Sequence, residues 1–385
     1  MIVLPRKKLK KRSIVIKPVG SFCNLRCDYC FYLEKHTLYE GEPATHRMSD
    51  ETMEKIIAGM FACSDAPTFV WHGGEPTLMG LDFFVKVVAV QRYYANGRDY
   101  SNAIQTNGTL LDEEWARFLK YENFLVGVSL DGPEHVHNAH RKDLRGSGTF
   151  QRVFENAKML SGKGTPVNVL ATVNAYSVKY PREIYKFFRK NGFTFMQFAP
   201  VVESDPLNPE VAAPYSVNPK DYGIFLNRLF DLWVKDFDFG RLRQKTSVRF
   251  FDALIQKYVG MIPDHCIFQK FCGNALVVEH NGDMFSCDYM VSEDTSVGNI
   301  HKISIEEAFQ GPKHMAFGKR KSEFGIQCQE CRWLHLCYGG CIKDRIRDPR
   351  DKGRNHFCES YKIFFQQADK RLRKFAKLYR RHYQS

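Results

Sequence analysis

Three closely spaced cysteines near the start of the chain constrain its fold and chemistry more than any other feature. Residues 21–32 read Ser-Phe-Cys-Asn-Leu-Arg-Cys-Asp-Tyr-Cys-Phe-Tyr, so Cys23, Cys27 and Cys30 follow the spacing C-x3-C-x2-C directly after an apolar run. Three thiolates on one short loop can bind three irons of a 4Fe–4S cluster and leave the fourth iron open. A zinc knuckle or a group of buried thiols is the alternative, but no fourth ligand is close by, and structural zinc sites complete four. The motif therefore predicts an iron–sulfur site that performs chemistry.

Length, charge and cysteine usage bound the class of protein. With 385 residues the chain can bury one large domain and a smaller one. We expect a cytoplasmic protein without a membrane span, because no run of about 20 apolar residues occurs and the basic residues 6–12 precede no apolar h-region. In a reducing compartment, twelve cysteines favour metal ligands over disulfides.

The formal net charge of +13 points to acidic partners. A flavodoxin or ferredoxin that donates electrons would fit, and so would a solvated basic surface. The absence of a recognised nucleic-acid motif or aromatic stacking platform argues against nucleic acid.

Between residues 13 and 200, short β-rich runs alternate with amphipathic stretches of helical period. The predicted strands are residues 14–19, 68–72, 103–106, 125–129, 167–172 and 194–198, and the predicted helices are residues 49–62, 81–94, 112–121, 150–161 and 181–190. Six such units predict an α/β fold, a partial (β/α)6 TIM-type barrel, whose chemistry would lie where the strands end. The second strand ends in His-Gly-Gly-Glu-Pro at residues 72–76, and its two glycines would let the backbone approach a ligand closely.

A second group of cysteines occupies the last third of the chain. Its eight members are Cys266, Cys272, Cys287, Cys328, Cys331, Cys337, Cys341 and Cys358. Eight thiols allow two sites of four ligands, either iron–sulfur clusters or zinc ions. Asn281-Gly282, between two β-rich runs, predicts a β-hairpin with a type I′ turn that would bring Cys272 and Cys287 to one end.

The spacing of the first three cysteines resembles the signature of the radical S-adenosylmethionine (SAM) enzymes. The order of the later ones resembles the SPASM extension, and the whole pattern is similar to the anaerobic sulfatase-maturating enzymes. This resemblance implies a radical SAM oxidoreductase that converts an active-site Cys or Ser of an unfolded or nascent sulfatase segment into Cα-formylglycine. One alternative is a SPASM-type enzyme that oxidises or crosslinks another peptide. A more remote alternative is a zinc-binding interaction protein without catalysis.

The resemblance also implies three 4Fe–4S clusters and the residues that bind them. Cys23, Cys27 and Cys30 would hold the SAM-binding cluster, Cys266, Cys272, Cys287 and Cys341 one auxiliary cluster, and Cys328, Cys331, Cys337 and Cys358 the other. The residues implied in SAM binding are Tyr29, Gly73, Gly74, Glu75, Gln105, Ser129 and Arg152, with Arg152 on the cofactor carboxylate. Position 72 is His where several members of the family are expected to have Gln.

Asp288 would be the general base that takes the proton from the substrate thiol or hydroxyl. We expect a neighbouring anionic cluster to raise its pKa.

We divide the chain into a basic N-terminal arm (1–12), the radical SAM partial barrel (13–218), a helical connection (219–262), the SPASM domain with two auxiliary clusters (263–358) and a basic C-terminal helix (359–385).

Overall fold

Six parallel strands in chain order form the centre of the fold. They are β1 (Ser13–Lys17), β2 (Thr68–Trp71), β3 (Ser101–Thr106), β4 (Leu125–Ser129), β5 (Val167–Val173) and β6 (Phe195–Pro200). Each strand pairs in parallel with the next one along the chain. The structure is a computed structural model that describes residues 10–39, 46–238 and 243–383. The predicted basic arm therefore lies outside the described residues except for its last three positions.

Helices connect these strands, as parallel pairing requires. They are α1 (Asp50–Cys63), α2 (Leu81–Ala95), α3 (Glu113–Tyr121), α4 (Glu134–Asn138), α5 (Phe150–Gly162) and α6 (Pro181–Lys190). Side chains that precede a helix satisfy its first free amides: Ser49 accepts from Thr52 N, and Asp112 accepts from the amides of Glu114 and Trp115. The alternation of strands and helices confirms the predicted α/β class.

A helical connection and a cysteine-rich extension complete the chain. The connection contains α7 (Pro219–Lys235), β7 (Phe237–Asp238), β8 (Arg243–Gln244), β9 (Ser247–Val248) and α8 (Arg249–Tyr258). The extension contains β10 (Ala275–Glu279), β11 (Asp283–Phe285), β12 (Ser296–Asn299), α9 (Ile305–Gln310), α10 (Pro312–Arg320), α11 (Ile326–Gln329), α12 (Leu334–Cys337) and α13 (Cys358–Tyr383). Among the described residues, no helix is long and apolar enough to cross a membrane.

The extension continues the sheet of the barrel. Strand β10 pairs in parallel with β1, on the side opposite to β2, and the resulting sheet has ten strands in the order β12-β11-β10-β1-β2-β3-β4-β5-β6-β9. Ile14 and Ile16 of β1 belong to the same buried core as Leu276 and Val278 of β10. The cysteine-rich segment is thus built onto the first barrel strand, whose carboxyl end leads into the triple-cysteine loop.

The predicted hairpin exists, but its predicted turn type is wrong. Strands β10 and β11 pair antiparallel, with Val278 opposite Met284. The amide of Gly282 donates to Glu279 O at 3.0 Å. This contact makes His280 and Asn281 the central residues of the turn. A type I′ turn needs positive φ at both Asn281 and Gly282, but of these two only Gly282 has it, at 89°. The left-handed glycine follows the turn, as in the common three-residue hairpin loop.

Candidate active site

The carboxyl ends of the six barrel strands open into one cleft that encloses about 1000 Å³, part of it continuous with solvent. Most of its lining residues follow a strand, and three, Asp288, Tyr289 and Lys343, come from the extension. They include Cys23, Cys27, Tyr29 and Cys30 after β1, His72, Gly73 and Gly74 after β2, Gln105, Thr106 and Asn107 around the end of β3, Ser129 at the end of β4, and Asp288 and Tyr289. Residues far apart in sequence therefore meet at the position expected for a parallel α/β barrel.

Gly74 lets the second strand's loop lie directly against the triple-cysteine loop. Its amide donates to Gly20 O at 2.8 Å, and the next amide, of Glu75, donates to Phe22 O at 2.9 Å. A Cβ on Gly74 would lie 2.0 Å from Phe22 O, which no side chain could tolerate. The glycine is required for contact with the neighbouring loop, besides any contact with a ligand.

Glu75 supports the cleft without lining it, in contrast to the prediction of a direct cofactor contact. Its wholly buried carboxylate accepts hydrogen bonds from Thr77 N and Oγ1, from Thr106 Oγ1 at 2.7 Å and from Asn107 N at 2.6 Å. Burial raises its pKa, and these hydrogen bonds oppose the shift. The side chain of Asn107 in turn donates to Cys23 Sγ at 3.7 Å. Glu75 thus ties the end of β3 to the cysteine loop.

Gln105 and Ser129 lie side by side at the ends of adjacent strands. Gln105 Nε2 donates to Ser129 Oγ at 3.1 Å, and both residues line the cleft. A Cβ at Gly127 would lie 2.0 Å from Gln105 Oε1, so the glycine makes room for this amide. The structure places both residues where a polar ligand could reach them.

The arginine of the cleft is Arg141, and the prediction for Arg152 is wrong in its placement. Arg152 is exposed on α5 and does not line the cleft. Arg141 is buried there, and its Nε donates to Asp131 Oδ2 at 3.0 Å. Asp131 also accepts from the hydroxyl of Tyr29 and from Thr172 N. Arg141 belongs to the loop after the fourth strand, which is rich in histidine and arginine. This composition is the sequence feature that could have identified Arg141 as a residue of the cleft.

Lys17, which sequence reasoning missed, forms an ion pair with Asp288. Its wholly buried ammonium lies 2.5 Å from Asp288 Oδ1, although the angles are not those of a hydrogen bond. The ammonium also lies 4.0 Å from Glu279 Oε1 and 3.5 Å from the ring centre of Tyr32, whose hydroxyl donates to Glu279. A lysine at the end of an apolar strand gives no sequence signal for this role.

The pKa of Asp288 shifts in the direction opposite to the prediction. Burial alone would raise it, but Lys17 and His72 more than offset this effect and hold the pKa below its ordinary value. Asp288 is therefore ionised at neutral pH. The sequence gives no sign of this shift, because the cation beside the carboxylate is remote in sequence; the effect of a neighbouring anionic cluster stays a prediction.

The cysteines of the motif loop share the cleft, and burial is the largest effect on the pKa of the Cys23 and Cys27 thiols. It raises the pKa of Cys23 to about 12 and that of Cys27 to about 11. Bound metal ions would oppose this shift, because they stabilise thiolates directly.

The later cysteines fall into two neighbourhoods. Cys328, Cys331, Cys337 and Cys358 line one small cavity. Burial is the largest cause of the raised pKa of both Cys287 and Cys341. Charge on Cys266 and Cys272 raises the pKa of Cys287 further, and charge on Cys287 and Cys266 raises that of Cys341, so these four thiols lie near one another.

The spacing of the thiols fits a cluster better than a single zinc ion. In the described parts of the chain, the only three ligand-type side chains whose donor atoms all lie within 4.8 Å of one another are Asp348, Asp351 and His356. A tetrahedral zinc with Zn–S bonds of about 2.3 Å would bring its sulfurs closer together than that limit. No three cysteine sulfurs of the described chain meet this condition.

Family models assign the class. Residues 18–188 match the model of the Radical SAM superfamily, and residues 266–332 match that of SPASM, an iron-sulfur cluster-binding domain. The chain is a radical SAM enzyme with a SPASM domain, and these domains imply iron–sulfur clusters and SAM as cofactors.

Relatives of nearly full length narrow the assignment. The chain is 38% identical to the serine-type anaerobic sulfatase-maturating enzyme of Bacteroides thetaiotaomicron, over 93% of this chain and 89% of that protein. It is also 38% identical to the cysteine-type anaerobic sulfatase-maturating enzyme of Clostridium novyi, over 97% of this chain and 100% of that protein. The chain belongs to the family of anaerobic sulfatase-maturating enzymes.

Solved structures agree with this assignment. Native anSMEcpe with bound AdoMet and Cp18Cys peptide superposes with a TM-score of 0.85 at 35% identity, covering 95% of this chain and 99% of that chain. Streptococcus suis SuiB bound to precursor peptide SuiA superposes with a TM-score of 0.59 at 15% identity, covering 88% of this chain and 73% of that chain. The second likeness concerns the fold alone.

Proposed function

We propose that this protein oxidises the Cβ of an active-site Cys or Ser in a sulfatase polypeptide, giving Cα-formylglycine. The observation that carries the proposal is the presence of Asp288 and the triple-cysteine loop in one cleft, in a chain of this family. Relatives of the serine type and of the cysteine type are equally similar, so both target residues are included.

The residues around the cleft suggest how the cofactor would be held. Cys23, Cys27 and Cys30 would bind the cluster, and the adjoining Gly73, Gly74, Tyr29, Gln105 and Ser129 would surround SAM. Arg141 replaces Arg152 as the arginine available to the cofactor carboxylate, since its guanidinium reaches the cleft. When bound, the cluster and SAM supply the radical that removes one hydrogen atom from the substrate Cβ.

Asp288 would take up the proton that the substrate thiol or hydroxyl loses. Its carboxylate is ionised and open to the cleft, and Lys17 holds it in place through the 2.5 Å ion pair. A positioned carboxylate in reach of the reacting group is the usual requirement for general-base catalysis. The substrate must approach the side of Asp288 that Lys17 does not cover.

We also propose that the two later cysteine groups hold two further 4Fe–4S clusters, which makes three in total. Fully ligated clusters transfer electrons without binding substrate, so they would carry away the electron released when the substrate radical is oxidised. A flavodoxin or ferredoxin would supply the electron that starts the reaction.

Mass spectrometry of a sulfatase active-site peptide, in Cys and Ser versions, tests the proposed reaction. After anaerobic incubation with the reconstituted protein, SAM and a strong reductant, we expect formylglycine in at least one version. Asp288→Asn should abolish the conversion, because the amide cannot accept the proton. Asp294→Asn is the matched control, since this aspartate is exposed in the same extension and lies outside the cleft.

Two results would contradict parts of the proposal. If 5′-deoxyadenosine forms while both peptides stay unchanged, the radical chemistry is correct and the substrate is wrong. If Asp288→Asn converts the peptide as fast as Asp294→Asn does, Asp288 is not the base.

A further inference from the structure

A second cleft, which the proposed reaction does not use, lies at the surface of the extension. It encloses about 1050 Å³, part of it continuous with solvent, and its lining includes Ile326, Cys328, Arg350, Lys352, Arg354 and Asn355. We call it the basic cleft. It is distinct from the catalytic cleft, with which it shares no lining residue.

The basic cleft adjoins one of the two later cysteine groups. Cys328, Arg354 and Asn355 line both the basic cleft and the small cavity that contains Cys331, Cys337 and Cys358. The side chain of Asn355 also donates to Cys341 O at 3.0 Å, which connects the same wall to the other cysteine group. A partner in the basic cleft would therefore lie directly beside the thiols that are proposed to hold an electron-transfer centre.

The cleft is lined by four cations, Arg345, Arg350, Lys352 and Arg354, and by two carboxylates, Glu323 and Asp351, so its charged lining is positive on balance. Lys352 and Arg354 are exposed, and neither takes part in an ion pair within the described part of the chain. Arg350 is exposed as well, although Asp348 neutralises it at 2.6 Å. Ile326 is 73% exposed on the wall of the cleft. Exposed cations beside an apolar contact form a surface that an acidic protein can recognise.

We propose that the basic cleft is the docking site of a small acidic one-electron carrier protein. Charge complementarity selects this occupant, because unpaired cations attract an acidic face. The adjoining cysteines support this assignment, because electron transfer requires the redox centre of the carrier to lie close to the cluster that these cysteines would hold. The inference rests on the proposed function insofar as an electron must leave the protein in each turnover.

The transfer step is a simple exchange. One electron would leave the reduced cluster held by the thiolates of Cys328, Cys331, Cys337 and Cys358, which would be oxidised, and would enter the oxidised carrier, which would be reduced. No bond forms or breaks in the docked pair, and the basic residues take no part beyond orienting the carrier.

Binding of an acidic plant-type 2Fe–2S ferredoxin, measured anaerobically with the cluster-loaded full chain, tests the docking site. We expect the affinity to fall as ionic strength rises, and the double variant Lys352→Glu, Arg354→Glu to bind about tenfold more weakly at low salt. The control is Lys186→Glu, Lys190→Glu, which reverses two exposed lysines on α6. Iron content should be the same in all three proteins. In stopped-flow mixing, the dithionite-reduced double variant should also reduce the ferredoxin more slowly.

Three outcomes would overturn the proposal. Equal weakening by both double variants would mean that the overall positive charge attracts the carrier. Unchanged binding by the basic-cleft variant would place the docking site elsewhere. Binding of a single-stranded oligonucleotide that depends on Lys352 and Arg354, without binding of the ferredoxin, would make the cleft a nucleic-acid site. None of these measurements needs SAM or peptide, so they are independent of formylglycine formation.

Discussion

His137 shows how one buried side chain supports the catalytic cleft. Its Nδ1 accepts from Asp131 N at 3.4 Å, and its Nε2 lies 3.0 Å from Thr149 Oγ1, which donates to Arg141 O. The ring must therefore be neutral, with its proton on Nε2. Burial lowers its pKa to about 3. His137 thereby fixes the backbone of both Asp131 and Arg141.

The low pKa of His137 predicts a loss of stability in mild acid. In the unfolded chain, His137 binds a proton below about pH 6.5, whereas in the folded chain it binds one only below about pH 3. The free energy of unfolding therefore falls as the pH drops through this window. Between pH 7.5 and 5, the wild type should lose about 2 kcal/mol more than His137→Gln, which does not titrate. Urea unfolding at both pH values measures the difference. His335→Gln, at an exposed histidine, is the control, and an equal pH dependence in wild type and His137→Gln would contradict the prediction.

Packing between α7 and α13 fixes the position of Cys358. This cysteine begins α13, and the first turns of that helix lie on Gly223 of α7. A Cβ on Gly223 would lie 2.9 Å from Ile363 Cβ and 3.1 Å from Ser360 Cα. The missing side chain thus allows the two helices to approach closely.

Gly223→Val should move the two helices apart and displace Cys358. Overpacking of this kind costs about 1–3 kcal/mol, and the displaced thiol should lower the iron bound after anaerobic reconstitution. Thermal unfolding and iron analysis measure the two effects. The neighbouring Ile224 is partly exposed, so Ile224→Val serves as the control. Normal iron content in Gly223→Val would show that α13 does not need this contact.

At the scale of the whole molecule, the barrel and the extension share one sheet and one core, so we expect them to unfold together. Val278 of β10 is fully buried in the same core as Ile14 and Ile16 of β1. Removing or disrupting β10 would leave the first barrel strand with an open edge and an uncovered core.

Val278→Asp should therefore unfold the barrel together with the extension. A buried unpaired carboxylate costs about 3 kcal/mol or more, and we expect a single transition shifted to lower denaturant concentration. Far-UV circular dichroism and tryptophan fluorescence report on it, and the buried Trp71 of β2 contributes to the fluorescence together with the three other tryptophans. Lys302→Asp, at an exposed position of the extension, is the control. A barrel transition that stays at its wild-type midpoint would show that the two parts fold independently.

Local sequence patterns determined the elements of the barrel. The predicted strand 125–129 and helix 181–190 agree with β4 and α6 residue for residue, because apolar periodicity and capping residues act over a few positions. The family assignment was equally accessible, since it depends on cysteine spacing along the chain. The division of the later cysteines into two ligand sets stays a prediction, although the structure gathers them in the same two neighbourhoods.

The tertiary structure alone decided which charges meet in the cleft. Lys17 and Asp288 are joined only because β10 pairs with β1, and their contact reverses the expected shift in the pKa of Asp288. Arg141 occupies the cleft in place of Arg152 because the loop after β4 folds inward, while Arg152 lies on the exposed face of α5. Electrostatic interactions depend on distance through space and on burial, and the linear sequence fixes neither.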